Sequence, residues 1–214
     1  MTRIAVLGGT GYAGSHIGAE AARRGHEVTS YSRTTPAEPV EGVTYVTGSV
    51  FDDAFLAQVV TDAEVVVETL SPRGELEGKL EGVVDELIDL ARAAGTRLGV
   101  IGGAGSLLVA EGGPKLMDTD GFPAEILPEV RTGEALLETL RGTEEDLDWF
   151  YVSPAGGFGA WAPGEATGHF RIGGDVLLTD EEGDSFISGA DLATAVVDEI
   201  ETPAHSRRRF TVAY

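Results

Sequence analysis

The stretch "IAVLGGTGYAGSHIGAEAARRGHEV", residues 4–28, decides how this chain folds. Residues 4–7 form an apolar run of strand type, and Ala13, Ile17 and Ala21 then recur at the spacing of one helix face. Between the two stand four glycines within seven residues, Gly8, Gly9, Gly11 and Gly14. They fit a GxGxxG pattern as Gly9, Gly11 and Gly14, and a GxxGxxG pattern as Gly8, Gly11 and Gly14. In either register the first glycine permits a sharp turn off the strand. The second lets a diphosphate approach the backbone, and the third lets helix and strand pack closely. Free N–H groups and the positive end of the helix dipole supply the attraction. A glycine turn could simply join two elements, but its place between strand and helix, at the first junction of a repeated βα pattern, points to a dinucleotide.

The pattern continues along the chain. Strands are expected at residues 28–32, 43–46, 65–67 and 98–101. Helices are expected from the N-cap Asp52 through Phe55, Leu56, Val59 and Val60, and from Leu80 through Val83, Val84, Leu87, Ile88 and Ala91 to Gly95. Alternating strands and helices call for a parallel sheet with crossover helices, an α/β doubly wound sheet in three layers. Further on, residues 111–123 read as a glycine- and proline-rich loop and residues 124–140 as a helix. "LDWFYVSP" reads as a sixth strand. Residues 154–174 are rich in glycine and read as irregular, with some short β structure up to Leu178. Ser188 and Asp191 read as a capping box for a helix bearing Leu192, Val196 and Ile200, and residues 210–212 as a last strand. One domain spanning residues 1–214 is expected, in which the irregular part, about residues 154–190, covers an acceptor site.

Composition narrows the function. The chain has 214 residues with 36 acidic and 15 basic side chains, a net charge of −21. Such a surface repels nucleic acid and anionic membranes, and suits a strongly solvated, even salt-adapted, protein. No apolar run approaches the roughly 20 residues needed to cross a bilayer. There is no cysteine, hence no disulfide or thiolate site. No signal peptide is visible, so a cytoplasmic location is expected. The four histidines show no HxxxH or HxH spacing, so no metal site is expected.

The second strand ends in "TSYSRTT". It lacks the acid that holds a ribose 2′-hydroxyl in an NAD site, and it places Ser32, Arg33 and Thr34 where a 2′-phosphate would sit. This favours NADP(H) over NAD(H), although Arg33 could also be an ordinary loop arginine.

Taken together, "IAVLGGTGYAGSHI", "VIGGAGSL", "DTDGFP", "DWFYVSPA", "TGHFRIGGD" and "PAHSRRRFTVAY" resemble the atypical short-chain dehydrogenase/reductase group of NAD(P)H-binding proteins known as NADH-flavin reductases. The chain is similar, more distantly, to the flavin reductase that also reduces biliverdin and to NmrA-like redox sensors. The resemblance implies a Rossmann-like domain holding the cofactor at the carboxyl ends of the strands, with a cofactor loop of Gly8, Thr10, Gly11, Tyr12 and Gly14 and with Arg33 near the adenosine phosphate. Ser49 and Val50 would lie beside the adenine. Thr69, Leu70, Ser71, Gly102 and Gly103 would border the nicotinamide ribose, and Ser153 and Pro154 the nicotinamide. Ser106 matches the wider superfamily's active-site serine, and could hydrogen-bond an acceptor carbonyl or merely cap a turn.

The superfamily's Tyr-x-x-x-Lys pair is missing, because none of Tyr12, Tyr31, Tyr45, Tyr151 and Tyr214 has a lysine four residues on. Ketone reduction, which forms an alkoxide and needs a nearby acid, is therefore disfavoured. Flavin accepts hydride at nitrogen and spreads the charge over a conjugated ring, so positioning can suffice. Phe122, Phe158, Trp161 and Phe170 could build a shelf for a planar acceptor, and His169 could bind or protonate it, though each also reads as packing or surface. No GxSxG elbow is present, which disfavours a hydrolase. Residues 207–210, "RRRF", read as an exposed strand start balancing nearby acids. The expectation is a monomeric or homodimeric NAD(P)H-dependent reductase acting on a flavin or similar planar acceptor. The rival is a non-catalytic NAD(P) sensor of the NmrA-like type.

Overall fold

A computed structural model describes all residues, 1–214. Eight strands form one sheet in the order β3-β2-β1-β4-β5-β6-β8-β7. β1 (Arg3–Leu7), β2 (Glu27–Ser32), β3 (Val43–Thr47), β4 (Val65–Glu68), β5 (Arg97–Ile101), β6 (Trp149–Pro154) and β8 (Arg208–Ala213) are parallel to their neighbours. Only β7 (Arg171–Gly173) runs antiparallel, on the β8 edge. The order reverses between β1 and β4, and such a reversal opens a crevice at the carboxyl ends of the strands. No helix is long and apolar enough to cross a membrane.

The two faces of the sheet are covered by different helices. α1 (Tyr12–Arg23) and α5 (Gly189–Glu201) pack on one face, where Ile17, Ala21, Leu192 and Val196 meet Ile4, Val6, Val152 and Phe210. α2 (Asp53–Thr61), α3 (Leu80–Ala94) and α4 (Leu127–Arg141) cover the other, where Leu56, Val84, Leu87 and Leu140 meet Leu7, Val66, Leu98 and Tyr151. The central strands are apolar on both faces, as strands covered on both sides must be. Asp52 caps α2 by accepting from the N–H groups of Ala54 and Phe55, and Gly95 ends α3 in the left-handed conformation at φ 68°.

Three expectations need correction. The helix foreseen over residues 124–140 begins as a 3-10 turn, Ala124–Ile126, and becomes α-helical only from Leu127. Pro128 sits in the first turn, where a missing N–H does no harm but which the helix cannot extend through from earlier residues. The capping box at α5 is one-sided. Ser188 accepts from the Asp191 N–H, but the Asp191 carboxylate turns away to the N–H groups of Thr167 and Gly168 and to the Tyr214 hydroxyl. Residues 207–210 are not simply an exposed strand start. Arg209 is buried, and its guanidinium donates to Ser106 Oγ at 2.9 Å and to Asp175 at 2.7 Å.

Candidate functional site

The glycine loop lies at the β1 side of the switch point, and the structure separates the roles of its glycines. Gly8 carries the turn at φ 84°, and its N–H donates to the Tyr31 carbonyl at 2.8 Å. Gly9 is buried, and a Cβ there would lie 2.3 Å from Ser30 Oγ. A Cβ on Gly14 would lie 2.6 Å from the Gly8 carbonyl oxygen and 2.7 Å from Thr69 Oγ1. The positive φ at Gly8 selects the Gly8, Gly11, Gly14 register, and Gly9 is a packing glycine against β2. Gly11 is exposed and is the N-cap of α1, with no side chain to satisfy the first N–H groups and no acidic residue in the first turn. A helix start with unclaimed donors and no Cβ in the way is an anion cradle. A dinucleotide's diphosphate fits it.

Other expected residues gather around this loop. Thr69 anchors it, since its N–H and hydroxyl both donate to the Leu7 carbonyl at 2.9 Å. Thr69 and Leu70 are half-buried and Ser71 exposed at the end of β4, across the switch point from Gly8. Arg33 stands at the end of β2, 75% exposed, in an ion pair with Glu75 at 2.9 Å. Two side chains so exposed exchange partners at little cost, which leaves Arg33 available to a phosphate. Thr10 is exposed in the loop, Ser49 is exposed after β3, and Val50 packs against the core.

Tyr12 plays a part that its place in the motif did not foretell. Its hydroxyl donates to the Pro163 carbonyl and accepts from the Gly189 N–H, both at 3.1 Å, and its ring packs on Phe158 at 5.3 Å. The first residue of α1 thus brings the irregular segment 158–163 onto the rim of the loop. Trp161 on that segment is 76% exposed, a large apolar surface at the rim. Phe170 packs beside the core under α1 and α5, Phe122 is half-buried in its own turn, and His169 is exposed.

At the far side of the mouth, Gly102 and Gly103 follow β5. A Cβ on Gly102 would lie 1.7 Å from the Tyr151 hydroxyl oxygen, so only glycine fits. Ser153 and Pro154 are buried at the end of β6, with no hydrogen-bond partner for the Ser153 hydroxyl. Ser106 is 6% exposed, and its oxygen accepts from Arg209. It is committed to the packing between the β5 loop and β8 and does not face an open acceptor site.

The expectations passed over one residue. Glu68 ends the otherwise apolar "VVVE" of β4 and is 0% exposed. One carboxyl oxygen accepts from the Leu70 N–H at 2.5 Å and the other has no partner. Burial pushes its pKa up to about 8 against the opposing Leu70 hydrogen bond, so the group is largely neutral at physiological pH. Register places Glu68, Val100 and Tyr151 in one line across β4, β5 and β6. Burial, and then Glu68, raise the Tyr151 hydroxyl well above its ordinary value, and that hydroxyl donates to the Gly133 carbonyl at 2.8 Å. The available signal was an acid closing a strand that is otherwise valine.

A doubly wound sheet with a side-chain-free helix start at its switch point defines a nucleotide-binding protein. The chain belongs to the NAD(P)H-binding family, whose model matches residues 8–203. It is 37% identical over 212 residues to the uncharacterized protein YwnB of Bacillus subtilis, covering 98% of this chain and 97% of that protein. Among solved structures it is similar to a protein of Burkholderia pseudomallei named as a candidate exported protein, with 41% identity, TM-score 0.86 and full coverage of both chains. It is also similar to a protein of Streptococcus pneumoniae named as a candidate NADH-flavin reductase, with 31% identity and TM-score 0.86, covering 100% of this chain and 99% of that one.

Proposed function

We propose that this protein is an NAD(P)H-dependent oxidoreductase that passes hydride from the nicotinamide to a flavin or similar planar acceptor, with NADP(H) the preferred cofactor. The observation that carries the reading is the Gly8, Gly11, Gly14 cradle, open at the N-terminus of α1 and set at the switch point of the sheet. The family match and the Streptococcus pneumoniae relative support it. The bound cofactor supplies the hydride.

The chain's own residues bind and orient. Gly8, Thr10, Gly11 and Gly14, with the Tyr12 N–H, hold the diphosphate, and Arg33 leaves Glu75 for the 2′-phosphate. Ser49 and Val50 flank the adenine. Thr69, Leu70 and Ser71 on one side and Gly102, Gly103, Ser153 and Pro154 on the other border the nicotinamide end. The buried Tyr151 hydroxyl, tied to Gly133, shapes that floor. The segment that Tyr12 holds, carrying Phe158 and Trp161, offers the apolar face on which a planar acceptor stacks. Ser106 acts indirectly, by fixing the β5 loop to Arg209.

The test is NADPH oxidation in the presence of FMN, riboflavin, quinones or azo dyes. Turnover with any of them supports the reductase. Tight cofactor binding without turnover replaces it by the sensor reading, and no binding of either cofactor at millimolar concentration removes both. Arg33→Ala should abolish the preference for NADPH over NADH, read as the ratio of their dissociation constants.

A further inference from the structure

A cavity of about 520 Å³ opens at the other end of the sheet from the glycine loop, where β8 begins and the chain leaves β7. Arg141, Arg207, Arg208 and Arg209 line it, together with His205. These are four of the fifteen lysines and arginines in a chain of net charge −21. Asp175 is the only carboxylate in the lining, and it serves both Arg141 at 2.8 Å and Arg209 at 2.7 Å.

The remaining charges are compensated unevenly. Glu138, from α4, pairs with Arg141 at 2.8 Å. Glu199 holds His205 from the side, at 2.7 Å. Arg207 donates only to neutral groups, the carbonyls of Thr143 at 2.6 Å, Leu147 at 3.0 Å and Glu144, and the Thr143 hydroxyl. Arg208 is exposed, and no side chain pairs with it. Arg207 is also the one residue other than glycine with positive φ, 56°. An L side chain adopts that conformation at a cost, and such costs collect where a site needs a particular geometry. Here the bend turns three successive arginines around one opening.

We propose that this cavity is a second anion site, which binds the phosphate group of a small phosphorylated molecule. Arg207 and Arg209 are held by the fold and supply fixed positive charge, while the unpaired Arg208 and the half-exposed Arg141 present planar forks that match the oxygens of a phosphate. The acidic remainder of the surface turns away nucleic acid and anionic membrane, so a ligand small enough for the cavity is selected. The proposal is independent of the nicotinamide reading, since the two sites lie at opposite ends of the strands.

Inorganic pyrophosphate is the probe, titrated calorimetrically into the full chain without NADPH and then with NADPH at saturation. Binding is expected in both titrations, weakened at least about fivefold by Arg208→Gln and by Arg141→Gln. The Arg208 side chain makes no hydrogen bond or ion pair that its removal would break, and circular dichroism checks the fold of both variants. The proposal is overturned if pyrophosphate up to about 10 mM gives no heat, if NADPH abolishes the binding, or if both variants bind as the wild type does. Should NADPH itself not bind, the cofactor reading falls, and the first titration still decides this site.

Discussion

At the scale of single residues, the loop is governed by what a methyl group would strike. Gly14→Ala drives a Cβ against the Gly8 carbonyl and Thr69, neither of which can yield without moving β1 or β4. A loss of about 1 to 3 kcal/mol in stability is expected, as for other overpacked sites, with NADPH affinity reduced by about tenfold or more because the cradle shifts. Calorimetric titration and a urea melt check the two effects. Glu68 behaves oppositely to an ordinary carboxylate. Its folded-state pKa is raised from 4.5 to about 8, so the folded state holds the proton more tightly than the unfolded one. Stability from this group is complete below the ordinary value and is lost as pH rises toward about 8, by on the order of 3 kcal/mol near pH 7. Glu68→Gln should remove most of that pH dependence and raise the melting temperature at neutral pH. Chemical denaturation at several pH values decides it, and an unchanged slope between pH 5 and 8 would refute it. The glycine turn was legible in the sequence because a turn's demands are local, but the choice between Gly8 and Gly9 as its first member came from the backbone conformation. The burial of Glu68 was not, because it depends on β4 lying between β1 and β5 in the middle of the sheet.

At the scale of elements, the helices and strands of residues 1–101 were readable almost to the residue. Apolar spacing and end signals, such as Asp52 for α2 and Gly95 for α3, act within a few positions. The C-terminal region was less readable, since its order comes from contacts between segments far apart in the chain. Asp191 shows why. Its carboxylate gathers the Thr167 and Gly168 N–H groups and the Tyr214 hydroxyl, so one side chain ties the irregular segment, α5 and the end of the chain together. Burial raises its pKa, but the hydrogen bonds from Tyr214, Thr167 and Gly168 outweigh this and hold it below 3.8. Its contribution is present above the ordinary carboxylate value and is lost as pH falls through the lowered one. Asp191→Asn should cost about 1 to 3 kcal/mol and speed proteolysis between residues 158 and 170, with the glycine loop's affinity for NADPH less affected. Limited proteolysis followed by mass spectrometry reads the first cleavage site. Initial cleavage elsewhere would refute this role.

At the scale of the whole molecule, a net charge of −21 sets the folded chain against itself. Raising sodium chloride from about 0.01 M to about 1 M shortens the screening length from about 30 Å to about 3 Å. The melting temperature should rise over that range, and a flat or falling profile by circular dichroism would show that the ion pairs gain more from low salt than the acidic surface loses. What the sequence determined by itself was the βα alternation, the glycine turn between the first strand and helix, the missing Tyr-x-x-x-Lys pair and the excess of acid, all properties of near neighbours or of composition. Only the tertiary structure decided that β8 inserts between β6 and β7, that Tyr12 holds the rim segment 158–163, that Ser106 answers to Arg209, and that four arginines share one cavity. Those outcomes rest on contacts between residues that sheet order alone brings together, and the spacing along the chain carries no measure of them.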